Sequence, residues 1–174
     1  SATIENLSSN TYTLNGEGAM NIKTDDMESL NANSDFTGND KDFVRVENSN
    51  INGNGPGSDS RTWDAIDVPY RLEGNHGIDN VELTVEAGTS LEFTEAAGLN
   101  FNPSSVFILS GEGGNPITFT GSENTRGWWN GVYINDTESR KNRLEYVVME
   151  YAGNNQDGQL NIASGGTDSG QIEK

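Results

Sequence analysis

The chain has 174 residues, with 27 acidic against 10 basic side chains, a formal net charge of −17 and no cysteine. The lack of cysteine excludes a disulfide scaffold and thiolate metal sites, and the acidic balance argues against nucleic acid or anionic lipid as partner, because both are held by Lys and Arg. No apolar run reaches the length that a membrane-spanning helix needs, so no membrane insertion is expected.

Leu, Ile, Val and Phe make up only about one fifth of the chain, a share that borders on disorder at high net charge. Asn and Gly are abundant and supply turns. Such a chain is either disordered or built of many short strands with many corners, and patterning decides between the two. The first strands show it. Ile4 to Asn10 resembles Met27 to Asn33 twenty-three residues on. With one inserted residue, Tyr12 then meets Phe36, Asn15 meets Asn39, and Ala19 to Ile22 meets Phe43 to Val46. Residues 1–47 therefore read as stacked N-terminal coils. Asn10 over Asn33 and Asn15 over Asn39 are expected to form short amide ladders between coils.

The stretch 48–62, rich in Asn, Ser and Gly and containing Pro56, reads as a loop. From residue 63 to 165 the alternation resumes. Val81 to Val85, Leu91 to Phe93, Ile117 to Phe119, Val132 to Ile134 and Leu144 to Val148 are short alternating bursts of β-branched and aromatic residues. Leu91 maps to Ile117 and then to Leu144; Leu83 maps to Ile108. Leu99-Asn100-Phe101 recurs as Leu160-Asn161-Ile162, with Val132-Tyr133-Ile134 between them. No apolar stripe with helical spacing runs for three turns, and 166–174 reads as a frayed tail. A period in the twenties built only of strands marks a β-solenoid. The expected fold is a single all-β domain, a right-handed parallel β-helix of about seven irregular coils at ordinary strand spacing. The sequence opens on Ser1 without a secretory signal, so it is expected to be a piece of a longer solenoid.

From Arg61 the residues resemble a known family. Thr62-Trp63, Asp67 to Gly74, Leu83 to Phe93, Asn115 to Gly121, Gly127 to Ile134 and Leu144 to Gly153 follow one another as in a module of secreted bacterial right-handed parallel β-helix proteins of the pectin-lyase-like superfamily. The resemblance covers about residues 61–165 and implies a secreted or surface-displayed protein. It implies little about substrate.

Candidate chemistry is sparse. The one histidine, His76, lies in Gly74-Asn75-His76-Gly77; with Asp25-Asp26 it resembles motifs of β-helix glycosidases, whose reaction needs paired carboxylates. The bland reading is a polar turn. Arg140, Lys141 and Arg143 could supply a lyase base, or simply form a basic loop tip that holds Leu144 in register. Asp35, Asn39, Asp40 and Asp42, and separately Asp25, Asp26 and Glu28, offer oxygen ligands for Ca2+, although neither set matches an EF-hand or a nonapeptide roll. Trp128 and Trp129 are adjacent, so one should enter the core and one face outward. Trp128, Trp129 and Tyr133 are the candidate sugar-stacking residues. The expected function is a non-catalytic secreted or cell-surface module with an adhesive, structural or carbohydrate-recognition role, its partner a polysaccharide or cell-surface glycan. The alternatives are a polysaccharide lyase or glycoside hydrolase acting on acidic polysaccharide, and a segment that self-associates through exposed solenoid ends.

Overall fold

The computed structural model describes residues 6–135, 137, 139–154 and 158–163; the tail expected at 166–174 lies outside them. The strands follow one another as successive turns of a coil. An opening stretch leads into β1 (Met20–Lys23) and a short 3-10 helix (Thr24–Ser29). The first turn with three strands is β2 (Val44–Glu47), β3 (Ile51–Asn52) and β4 (Ser60–Trp63). The next are β5 (Tyr70–Leu72), β6 (Asn75–Asp79) and β7 (Glu82–Val85), then β8 (Ser90–Phe93), β9 (Gly98–Phe101) and β10 (Val106–Ser110). There follow β11 (Ile117–Gly121), β12 (Gly131–Asn135) and β13 (Arg143–Glu145), and finally β14 (Val147–Met149) and β15 (Leu160–Ala163).

Each turn adds one strand to each of three parallel sheets. The first sheet runs β1-β2-β5-β8-β11-β14, the second β3-β6-β9-β12-β15 and the third β4-β7-β10-β13. The protein is thus an all-β parallel solenoid of about 5 turns rather than about seven. The stretch before β1 contributes to the difference, because it pairs with the next turn only through the isolated bridges Leu7–Leu30 and Thr11–Asp35 and adds no strand. The stretch 48–62, expected as a loop, contains β3 and the first residues of β4.

Inward side chains stack from turn to turn. In the first sheet Val46, Leu72 and Phe93 succeed one another, and in the second Ile78, Phe101 and Ile134 do so. Most are fully enclosed. Each turn needs only an inner ring of apolar residues, so a hydrophilic chain can still bury a continuous core. The third sheet is shorter because the 3-10 helix takes the place of strands in the preceding turn. Arg61 occupies an inward position on β4 and reaches that helix, pairing with Glu28, with Asp25 at 3.9 Å and with Asp59 at 2.8 Å.

Register agrees with the repeat at most N-terminal positions. Leu7 bridges Leu30, Tyr12 stacks on Phe36 with centroids 5.3 Å apart, and Met20 to Lys23 pair with Val44 to Glu47. Asn15 Nδ2 donates to Asn39 Oδ1 at 2.7 Å, 24 residues away. Asn10 over Asn33 fails: the Asn10 amide donates to Ser34 Oγ, while the Asn33 amide donates to Asn31 Oδ1 within its own turn. Farther on, Leu99, Val132 and Leu160 pair as expected. Leu91, however, pairs with Phe119, Leu83 with Phe107, and Leu144 with Leu109 rather than under Ile117.

Candidate functional site

The outer face of the second sheet is the one place where an expected site residue sits in a regular setting. In β12, Val132 and Ile134 point inward, so Tyr133 points outward, where it is half-buried. Strand pairing sets Asn100 on one side of it and Asn161 on the other. The same row continues to Gly77, over which Asn50 lies with its Oδ1 accepting the Gly77 amide at 2.8 Å. A β-carbon at Gly77 would stand 2.9 Å from that oxygen, so the row needs glycine there.

Two further rows flank this one. Asn75, Gly98 and Gly131 are in register on one side. On the other, Asn52 pairs with Asp79, Asn135 pairs with Ala163, and Asn102 carries the row between them. The face is therefore a lattice of amides and glycines around a single aromatic ring. Asp79 is the one charged side chain in these rows. The outside of the first sheet is different, carrying Arg45 beside Glu17 and Glu73, and Arg71 bonded to Glu92 at 2.7 Å. Arg71 also lies over the Phe43 ring, 3.8 Å from its centroid.

The two tryptophans sit at the corner before β12. Trp129 is fully enclosed, stacked on Phe93 with centroids 4.1 Å apart, and its Nε1 donates to Glu150 O at 2.7 Å. No face of Trp129 is left for a sugar. Trp128 is half-buried under the preceding loop, where its Nε1 donates to Ser122 Oγ. Of the three expected stacking residues, Tyr133 alone stands on an outer sheet face.

Of the proposed calcium ligands, Asp35, Asn39 and Asp42 are engaged by the chain itself, and Asp40 is exposed. Asp35 Oδ1 accepts the Thr37 amide and hydroxyl, which hold its carboxyl below the usual range. Asn39 Oδ1 accepts both donors of Asn15, while its Nδ2 donates to Tyr12 O and Phe36 O. Asp42 accepts the Asn39 amide at 2.8 Å. Among the described residues no three Asp, Glu or His side chains gather as a metal-binding group. In the second acidic set, Asp25 and Glu28 face the Arg61 guanidinium.

His76 is not a surface turn but part of the core, stacked in register with Leu99. The Thr24 hydroxyl lies 2.6 Å from His76 Nδ1 and 3.0 Å from Ser49 O, so the three groups form one buried cluster. His76 Nε2 is enclosed without a partner. Burial therefore holds its pKa down to about 4. Nothing in the local pattern marks this, because His-Gly in a polar setting looks like a turn. The basic cluster is also engaged: Lys141 Nζ bonds Glu82 at 2.8 Å, and Leu144 is in register with Leu109. Comparison of the chain with protein-family models, with curated proteins and with solved structures finds no match.

Proposed function

We propose that this chain is a non-catalytic module of a secreted or cell-surface protein, a right-handed β-helix of the pectin-lyase-like kind. Its work is to recognise glycans through the outer face of the second sheet. The observation that carries this reading is the register of Asn100, Tyr133 and Asn161. A pyranose offers an apolar C–H face and a rim of hydroxyls; an aromatic ring takes the first and side-chain amides take the second. The near-neutral lattice around Tyr133 favours uncharged sugars, since a chain of net charge −17 repels polyuronates.

A hydrolase or lyase needs an acid and a base that face the polymer together. His76 faces the core, Asp25 faces Arg61 and Asp26 Oδ2 accepts the Lys23 amide at 3.3 Å, so the residues that suggested such chemistry do not meet a polymer together. A glycan array with wild type, Tyr133→Ala and Trp128→Ala is the direct test. Binding to neutral glycans should vanish in Tyr133→Ala and persist in Trp128→Ala, with both variants melting as folded proteins. Binding that survives Tyr133→Ala removes the proposal.

A second reading, self-association through a solenoid end, draws on the last strands. Leu144 and Ile162, at inward positions there beside Leu109 and Ile134, are 38% and 49% exposed. Edge strands with apolar inward positions are templates for another chain. Sedimentation at high salt, where like charges are screened, should then show concentration-dependent growth that Ile162→Lys abolishes.

A further inference from the structure

Four Asn-Gly pairs occur in the sequence, at Asn15, Asn52, Asn54 and Asn130. In such a pair the glycine amide nitrogen can attack the asparagine side-chain carbonyl, because glycine has no β-carbon to hinder the approach and the backbone bends freely. The attack is favoured by a glycine amide proton free of any acceptor and by access of water.

Three of the pairs lack at least one of these conditions. The Gly53 amide donates to Asp79 O at 2.9 Å, and the Gly55 amide to Asn80 O at 2.8 Å. Asn130 is 9% exposed with its Nδ2 bonded to Ala96 O, and Gly131 lies within β12. Asn15-Gly16 is different. Both residues are exposed, they sit outside any strand, no acceptor among the described residues takes the Gly16 amide, and the one side-chain bond of Asn15, from Nδ2 to Asn39 Oδ1, lies at the surface.

We infer that Asn15 is a site of intramolecular deamidation, and that its conversion opens the Asn15–Asn39 rung between the first two turns. The Gly16 amide gives its proton to solvent base, and its nitrogen bonds to Asn15 Cγ. The Cγ–Nδ2 bond breaks and ammonia leaves. Water then opens the five-membered imide at either carbonyl, yielding aspartate or isoaspartate at position 15. One water is consumed and one ammonia is released. The product has lost the donor that faces Asn39 Oδ1 at 2.7 Å, and an oxygen now confronts an oxygen. In the isoaspartyl form an extra backbone atom also displaces Asn15 O from the Asp40 amide it accepts at 3.0 Å.

The test uses the whole folded chain, held in mildly alkaline buffer and sampled over weeks. Peptide mass spectrometry should show a gain of one dalton at Asn15 before any at Asn52, Asn54 or Asn130. Gly16→Ala should slow that gain severalfold. This variant is tolerated, because an added β-carbon at Gly16 meets nothing nearer than Asp40 Oδ2 at 4.0 Å. Asn15→Asp should raise amide exchange across residues 6–19 while leaving β8 to β12 protected. Conversion at another Asn-Gly pair first, or an unchanged rate in Gly16→Ala, overturns the assignment. Unchanged exchange in Asn15→Asp overturns the opening of the rung.

Discussion

Trp128 and Trp129 adjoin in sequence and differ in environment. Alternation requires that one turn inward, but it cannot say which, because the pair lies at a corner where strand parity is reset. The structure gives the inward place to Trp129, against Phe93. Trp129→Ala should therefore cost about 3–5 kcal/mol by chemical denaturation, and Trp128→Ala clearly less. A larger loss for Trp128 would contradict the packing. His76 makes a second prediction at this scale. Its folded pKa of about 4 lies below the unfolded value near 6.5. Above that range both states are neutral and the group is silent. As pH falls from about 6.5 to 4, the unfolded chain takes a proton that the native core refuses, and stability drops by up to about 3 kcal/mol. His76→Asn should remove this loss, so the difference in unfolding free energy between variant and wild type should change across that window and be flat outside it. The carboxylates common to both chains cancel in the difference.

The 3-10 helix Thr24–Ser29 covers the end of the third sheet, tied at its start by Thr24 to Ser49 and along its length by Arg61. Removing that guanidinium leaves Asp59 and Glu28 facing each other without a cation. Arg61→Ala should cost about 2 kcal/mol, measured by denaturation, whereas Lys141→Ala, at an exposed pair, should cost well under 1 kcal/mol. The same helix shows where sequence reading reached its limit. Asp25 and Glu28 looked like cation ligands because their partner lies 33 residues away from Glu28, beyond any local pattern. The strands themselves were legible. Tyr12 over Phe36 and Leu99 beside Val132 follow from matching residue classes at a fixed offset. Leu91 was placed against Ile117 but pairs with Phe119, two positions on. A shift of two leaves every side chain on its proper face, so alternation cannot detect it. Only the corner lengths fix it, and the loop Gly111 to Asn115, closed by mutual backbone bonds between Glu112 and Asn115, takes up the extra residues. Of the proposed site, Tyr133 was visible as an outward aromatic in a strand; its amide neighbours were visible only through the repeat.

At the scale of the molecule, the strands of each turn pair only with those of the turn before and the turn after, and a few side-chain bonds such as Thr24–His76 and Lys141–Glu82 reach across two. Every strand in the three sheets has its partners one turn away in the chain. Unlike a sandwich, which must close distant segments at once, the rod holds its parts in series. Tension applied between its two ends would therefore not break the whole at a single force. The turns should peel off singly, each letting out about 80 Å of chain, and an optical-trap trace should show a staircase of near-equal steps. One large rip would mean that the turns yield together.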